Sequence, residues 1–527
     1  MRQIAFSGLD EFAAGASEWA LFDVREAGEA DRGHIFGASF LPRRQIELRI
    51  ADLVAGRATP LVVCDDGGPR AALAAATLER LGYRDVRVLD GGTAAWTAAG
   101  RELTEGRNVP SKLFGEEVHE QDHVPQVPVA TLKAWRDAGR PHLVCDIRTP
   151  DEYAAARIPG AYGAFGVDLA RVAGDLRGKG VPIVVHCAGR TRSIIACQTL
   201  RALGVPQVHA LENGTMGWLL AGFELEKGAP RGVLQPTQES IEQGERAARA
   251  LALGAGVGEI GAAELESWLA ERARGESNVY VIDVRQLAEF LDGHIEGSTA
   301  FPGGIAIQRT DDFAPVRAAR TVLVDDREAR AFLTGYWMRR SGRPRVHVLA
   351  GGIAEWKAGG RPLSGGRGRA QPIGCDDAWR AVARVGAAAL AAEPAQTILS
   401  VDTSRYFKFA RLQGSAWVPY GWLETRIARH AAGKDKAIVL TCHDGVLSTH
   451  AAANLGRLGY ARVRVLDGGV DAWRKQGLPV ESGWPQSLGA ADDLVLPPYD
   501  SSLESMARYL DWEQKLTSRR RSGVSNC

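Results

Sequence analysis

The 527-residue sequence predicts an α/β fold of four tandem units, each a mostly parallel sheet with helices on both faces. Two observations carry this. First, four landmarks recur in one order, the signature of internal repetition. A strand ends in an Asp-containing segment (FDVREAGE from Phe22, CDIRTPDE from Cys145, IDVRQLAE from Ile282, VDTSRYFK from Val401), and a glycine turn follows (GHIFGAS, ARIPGAY, GHIEGST, RLQGSAW). An apolar strand then runs into a loop (LVVCDDGGPR, IVVHCAGRTR, VLVDDREAR, VLTCHDGVLS), and Gly-Gly or Asn-Gly precedes a tryptophan (LDGGTAAW, LENGTMGW, LAGGIAEW, LDGGVDAW). Second, apolar strands alternate with helical spacing. In the first unit Ala20 to Val24, Leu61 to Val63 and Val86 to Leu89 read as strands and Arg70 to Leu81 as a helix. Such alternation builds a parallel sheet whose ligands bind beyond the carboxyl ends of the strands.

The repeats place a first domain at 1–105, a polar, proline-bearing linker at 106–127, a second domain at 128–230 and a linker with a helix at 231–257. A third domain follows at 258–364, a glycine-rich linker at 365–374, a fourth domain at 375–484, and a C-terminal helix and tail at 485–527. Ser240-x-x-Gln243 and Ser501-x-x-Glu504 read as capping boxes. Leu503, Met506 and Leu510 form an apolar face expected to pack on a domain surface. The linker pattern pairs unit one with two and three with four.

Composition excludes several functions. Lys plus Arg, 64, against Asp plus Glu, 63, leaves no field to recruit nucleic acid or an anionic membrane. Seven cysteines show no paired spacing, no C-x-x-C and no histidines at zinc-site intervals, so neither disulfides nor a metal is expected, and no cofactor is called for. The first residues lack a signal-peptide core, and no stretch reaches membrane-spanning length; the expectation is a cytoplasmic protein with reduced thiols.

Chemistry concentrates in residues 181–193, VPIVVHCAGRTRS. Val181 to Val185 reads as a buried strand and Ser193 to Leu203 as a helix, so Cys187 to Arg192 form a six-residue loop opening a helix N-terminus, an anion cradle. The helix end, Arg190 and Arg192 would all favour thiolate over thiol, the nucleophilic form, and a depressed Cys187 pKa is the expectation. The alternative, a buried small hydrophobe, fits poorly with two arginines and a glycine within five residues.

With strand-Asp-x-Arg-x3-Glu, Gly-His-Ile-x-Gly, a cysteine loop and Gly-Gly-x3-Trp, each unit resembles a rhodanese domain, and residues 1 to 484 resemble a multidomain thiosulfate sulfurtransferase. The resemblance implies that Cys187 takes the sulfane sulfur of thiosulfate, releases sulfite and holds a persulfide, which cyanide or a thiol then discharges. It implies substrate-binding roles for Ala188, Gly189, Arg190, Thr191, Arg192 and Ser193. Arg192, at the loop's end, is the arginine favoured for substrate contact; Arg190 is as well suited to solvent as to the site. The set Asp146, Arg148 and Glu152 recurs where the cysteine does not, and so reads as structural pairing.

The other loops differ. The third has Asp325 in place of cysteine and cannot carry sulfur. In the fourth, Cys442 opens CHDGVL, without arginine and with Asp444, and is a secondary sulfur-acceptor position. In the first, Cys64 lies one residue farther from its Leu-Gly pair than Cys187 does; an inserted loop residue would give Cys64-x5-Arg70, a seven-residue ring. That spacing resembles rhodanese-fold phosphatases, so a phosphatase or arsenate-reducing activity at Cys64 and Arg70 stays open, against which stand Asp65, Asp66 and Pro69. A non-catalytic scaffold relaying persulfide among Cys187, Cys442 and Cys64 also stays open.

Overall fold

The computed structural model describes residues 2–229, 231–367, 372–394, 396–488, 491–497 and 502–521. Four five-stranded sheets appear, one per repeat, and every strand pair within them is parallel. In the second repeat the order is Gln126–Val127, Val208–Leu211, Ile183–His186, Leu143–Asp146, Tyr162–Gly163. The central strand Ile183–His186 is wholly buried, as its β-branched run requires.

The tryptophan motif has a local cause. Trp96, Trp218, Trp356 and Trp473 are buried, and each indole N–H donates to a carbonyl six residues on, that of Glu102, Glu224, Pro362 or Pro479. Between ring and acceptor the helix ends at Gly100, Gly222, Gly360 or Gly477, all at positive φ, where glycine alone is unstrained. These tryptophans are core residues.

The domains group into two compact units, the described parts of 1–107 with 369–495 and of 108–368 with 496–526. This corrects the pairing read from the linkers: the first repeat joins the fourth, and the second joins the third. In the unit that holds repeats two and three, the helix Gln238–Gly254 packs against Leu169–Arg177 and Ala329–Arg340. Its cap is Thr237, which accepts the Ser240 N–H, while the Ser240 hydroxyl donates to the Arg171 carbonyl; the Ser240 capping box is not formed. In the unit of repeats one and four, buried Arg43 reaches Glu47, Thr77 and Glu424, and Glu47 also accepts from Tyr420 and Asn454.

One linker and the C-terminal segment carry helices that pack on the repeats. Residues Val109–Gln121, inside the 106–127 segment, form a helix packed on Thr191–Ala202. Near the C-terminus, Leu503–Gln514 is a helix capped by Ser502, whose side chain accepts the Ser505 N–H; Ser501, the cap read from the sequence, lies outside the described residues, as do 368–371 of the third linker and Cys527. Met506 and Leu510 are buried on that helix, but Leu503 is exposed. Among the described residues no helix is long and apolar enough to cross a membrane.

Candidate functional site

Cys187 follows the last residue of the strand Ile183–His186 and opens the loop that leads into the helix Thr191–Ala202. The Asn-Gly pair holds this loop from beneath. Thr215 N–H donates to the Cys187 carbonyl at 2.9 Å and Met216 N–H to that of Ala188 at 2.9 Å. A Cβ on Gly214, at φ +54°, would collide with the Cys187 carbonyl oxygen, so the motif lets one helix end press against the cysteine's backbone. The Cys187 thiol donates to Ser193 Oγ at 3.5 Å, and Ser193 Oγ–H donates to the Arg190 carbonyl at 2.8 Å.

Both loop arginines are paired with acids. Arg190 is buried rather than solvent-facing: Nε and Nη2 donate to the two Glu116 oxygens at 2.7 and 2.6 Å, and Nη1 to Asn213 Oδ1 at 3.4 Å. Arg192 forms a fork with Glu152 at 2.8 and 3.0 Å. The cationic surplus read from the loop is therefore matched by carboxylates from Val109–Gln121 and from the Asp-x-Arg-x3-Glu segment. Thr191 Oγ1 donates to Glu513 Oε1 at 2.6 Å, which brings a C-terminal residue into the loop. Glu116, Asn213 and Glu513 approach from segments distant in sequence, and nothing local distinguishes Glu116 or Glu513 from the other acids of their helices, Glu117 and Glu120 or Glu504 and Asp511.

The Glu152 fork explains why that segment recurs. Arg148 folds back bidentately on Asp146, and Glu152 clamps the loop's last arginine; Glu29 with Arg70 and Glu289 with Arg330 repeat the clamp. In the fourth repeat Lys408 and Leu447 stand at both ends, so the clamp is absent there. Burial would raise the Glu152 carboxyl, but the Arg192 hydrogen bonds and charge hold it at about 2. Its folded pKa lies below the unfolded value, so the stabilisation is complete above roughly pH 4.5 and vanishes as pH falls toward 2. Glu152→Gln is expected to lose roughly 3 kcal/mol at pH 7, and little near pH 2, in urea unfolding followed against pH; equal losses at both pH values would refute the clamp.

Backbone pairing also identifies the true counterparts of Cys187. The carbonyls of Asp65, Asp325 and Cys442 accept from Thr93, Ile353 and Val470 as that of Cys187 does from Thr215. Cys64 is thus the counterpart of His186, one residue inside its strand, with its thiol in the core; this corrects the seven-residue ring. Asp65 lies sixteen residues before Leu81, as Cys187 lies before Leu203, so no insertion exists. The cradle of the first repeat holds its own carboxylate, Asp65, bonded to the Gly67 and Ala71 N–H groups at 2.9 Å each. Arg70 is committed to Glu29 and Asp66 and lies over the Trp422 ring. Burial, with Asp23 beside it, pushes the Cys64 thiol well up. Anion capture by a Cys64–Arg70 ring has no geometry here. Asp325 fills the third cradle likewise, taking the Asp326 and Arg330 N–H groups and Arg330 Nε.

The fourth loop keeps its thiol. Cys442 Sγ accepts the Gly445 and Ser448 N–H groups at 3.2 and 3.4 Å and contacts Ser448 Oγ at 3.4 Å. Burial, aided by Asp402, pushes this thiol up to about 12. Because Ser404 stands where the other repeats have arginine, the Asp402 carboxylate turns instead to the His443 backbone N–H and ring. Asp402, Cys442 and His443 are metal-ligand types whose ligand atoms lie within 4.8 Å of one another. The carboxylate is spent on the imidazole and the sulfur on two N–H groups, so hydrogen bonding accounts for the cluster.

The family model of the Rhodanese-like domain matches residues 9–99, 128–221, 265–359 and 386–476. The chain belongs to the rhodanese family. A crystal structure of thiosulfate sulfurtransferase from Pseudomonas aeruginosa is 35% identical, covers 98% of each chain and superimposes with a TM-score of 0.87. Thiosulfate sulfurtransferase of Azotobacter vinelandii is 26% identical over 250 residues, 38% of this chain and 89% of that protein. Thiosulfate sulfurtransferase GlpE of Actinobacillus succinogenes is 28% identical over 90 residues, 16% of this chain and 77% of that protein. These likenesses support sulfur transfer as the general activity of this rhodanese chain, with small-molecule donors and acceptors.

Proposed function

We propose that the chain moves sulfane sulfur from thiosulfate, or a related donor, to cyanide or a thiol through a Cys187 persulfide. The observation that carries this is the second loop, which alone of the four sets a cysteine at the cradle position beside arginines. The Cys187 thiolate attacks the outer sulfur of thiosulfate; the S–S bond of the donor breaks and its electron pair leaves on sulfite. The acceptor then attacks the outer persulfide sulfur, and the pair returns to the Cys187 thiolate. Thr191, Ser193, the loop N–H groups and the paired arginines offer donors to the departing sulfite. A cytoplasm that keeps thiols reduced is the setting for such a site.

Incubation with thiosulfate followed by peptide mass mapping tests this. One added sulfur, about 32 Da, is expected on the Cys187 peptide, as a covalent intermediate requires; sulfur on another cysteine alone, or on none, would overturn the assignment. The two N–H groups on Cys442 Sγ support a second sulfur-holding position there. With its thiol raised and Asp444 3.6 Å away, Cys442 is expected to load more slowly than Cys187 in a time course of the same mapping.

A further inference from the structure

The Cys187 cradle is covered by the chain's own C-terminal segment. Met506 and Leu510 of the helix Leu503–Gln514 form an apolar cluster with Met216, whose side chain meets the loop at Gly189, and Leu219 and Tyr509 pack against it. Lys112, from Val109–Gln121, places its ammonium 5.1 Å from both the Tyr509 and Trp512 ring centres, and Thr517 donates to Glu120 at 2.6 Å. Gln514 reaches Asn213, the residue that also receives Arg190. Beneath this layer the Cys187 side chain is closed off, at 2% exposure.

Glu513 is the point of contact with the chemistry. Its carboxyl is 1% exposed; Oε1 holds the Thr191 hydroxyl, the Tyr509 hydroxyl faces the same carboxyl one helical turn back, and Oε2 lacks a close hydrogen bond among the described residues. A Cβ built on Gly189 would lie 3.5 Å from Oε2 and 3.6 Å from Leu510, so the carboxyl and the leucine sit directly over the loop. A buried oxygen without a close hydrogen bond is costly and does not persist unless surrounding contacts hold it there. The other two acid-filled cradles are closed by a residue of their own loop, Asp65 or Asp325; this one is closed by an acid from a helix 322 residues away in sequence.

We propose that the helix Leu503–Gln514 is a lid on the Cys187 site and that Glu513 occupies the position of the anionic sulfur donor, which enters only when Glu513 is displaced. The lid thereby discriminates among donors by charge, admitting a dianion only at the cost of lid opening. This rests on Cys187 as the reactive residue. Its contacts suit reversible docking, because Met506, Leu510 and Tyr509, the Lys112 ammonium on two rings and a few hydrogen bonds are confined to one short helix.

The test uses the full-length chain in wild-type, Leu510→Asp and Glu513→Gln forms. It reads the rate at which iodoacetamide alkylates Cys187, quantified by peptide mapping, and thiosulfate KM alongside. Leu510→Asp places a charge in the apolar contact and is expected to raise Cys187 alkylation by about tenfold or more, with Cys442 alkylation as the unchanged internal reference. Glu513→Gln keeps the shape but removes the charge, and is expected to lower the thiosulfate KM several-fold. Alkylation that is unchanged in Leu510→Asp would overturn the lid, and an unchanged or higher KM in Glu513→Gln would overturn the charge role. Alkylation reports the lid without any sulfur transfer, so failure of the lid and failure of the sulfurtransferase reading are separately visible.

Discussion

Replacing Cys187 with serine is expected to lower thiosulfate:cyanide turnover by about a thousandfold or more, the scale of losing an enzyme's nucleophile. Serine fits the same space and can still bond Ser193, so the loop stays intact. Its hydroxyl, however, ionises far above the thiol range and cannot form a persulfide. Cys64→Ala is the matched control. That thiol lies in the hydrophobic core of the first repeat, one residue short of the cradle, so turnover should remain within about twofold, as for a free cysteine acting as a small hydrophobe. Full turnover in Cys187→Ser, with sulfur found on Cys442, would move the active site to the fourth repeat.

Arg43→Ala should cost about 3–5 kcal/mol of stability, the loss typical of breaking a buried ion pair from one side. Arg43 is 1% exposed and serves both Glu47 and Glu424, themselves nearly buried, so its removal takes the close cation from two carboxylates and leaves Glu47 only Arg80, at 4.0 Å. Glu47 also accepts from Tyr420 and Asn454 of the fourth repeat, which cannot replace a positive charge. Urea unfolding would read the loss as a lower midpoint with the slope retained. Lys133→Ala, which breaks the exposed pair with Asp137, is the comparison and should change stability by no more than about 1 kcal/mol. A small effect at Arg43 would mean that this buried cluster does not hold repeats one and four as a unit.

Much of this was legible in the sequence, because the signals were local. The Asp-x-Arg-x3-Glu segment is a bidentate pairing within three residues plus a clamp on the next loop, and each piece recurs with its partner. The Gly-x3-Trp tetrad closes its own turn through an indole hydrogen bond six residues on. Even the correct cradle residue of the first repeat was within reach: sixteen residues before Leu-Gly stands Asp65, and reading Cys64 as the cradle residue required an insertion that does not exist.

By itself, then, the sequence determined the four repeats, their parallel sheets and the cysteine at the strand end beside a helix N-terminus, since these follow from periodicity and turn chemistry along short stretches of chain. Tertiary structure alone decided which repeats share a unit, that Glu116 and Glu152 match the loop arginines, and that Glu513 covers the cradle. The physical reason is the same for all three. Buried charges must find opposite charges or hydrogen bonds wherever the folded chain supplies them, and the partners lie far away in sequence: Glu116 is separated from Arg190 by 74 residues and Glu513 from Thr191 by 322.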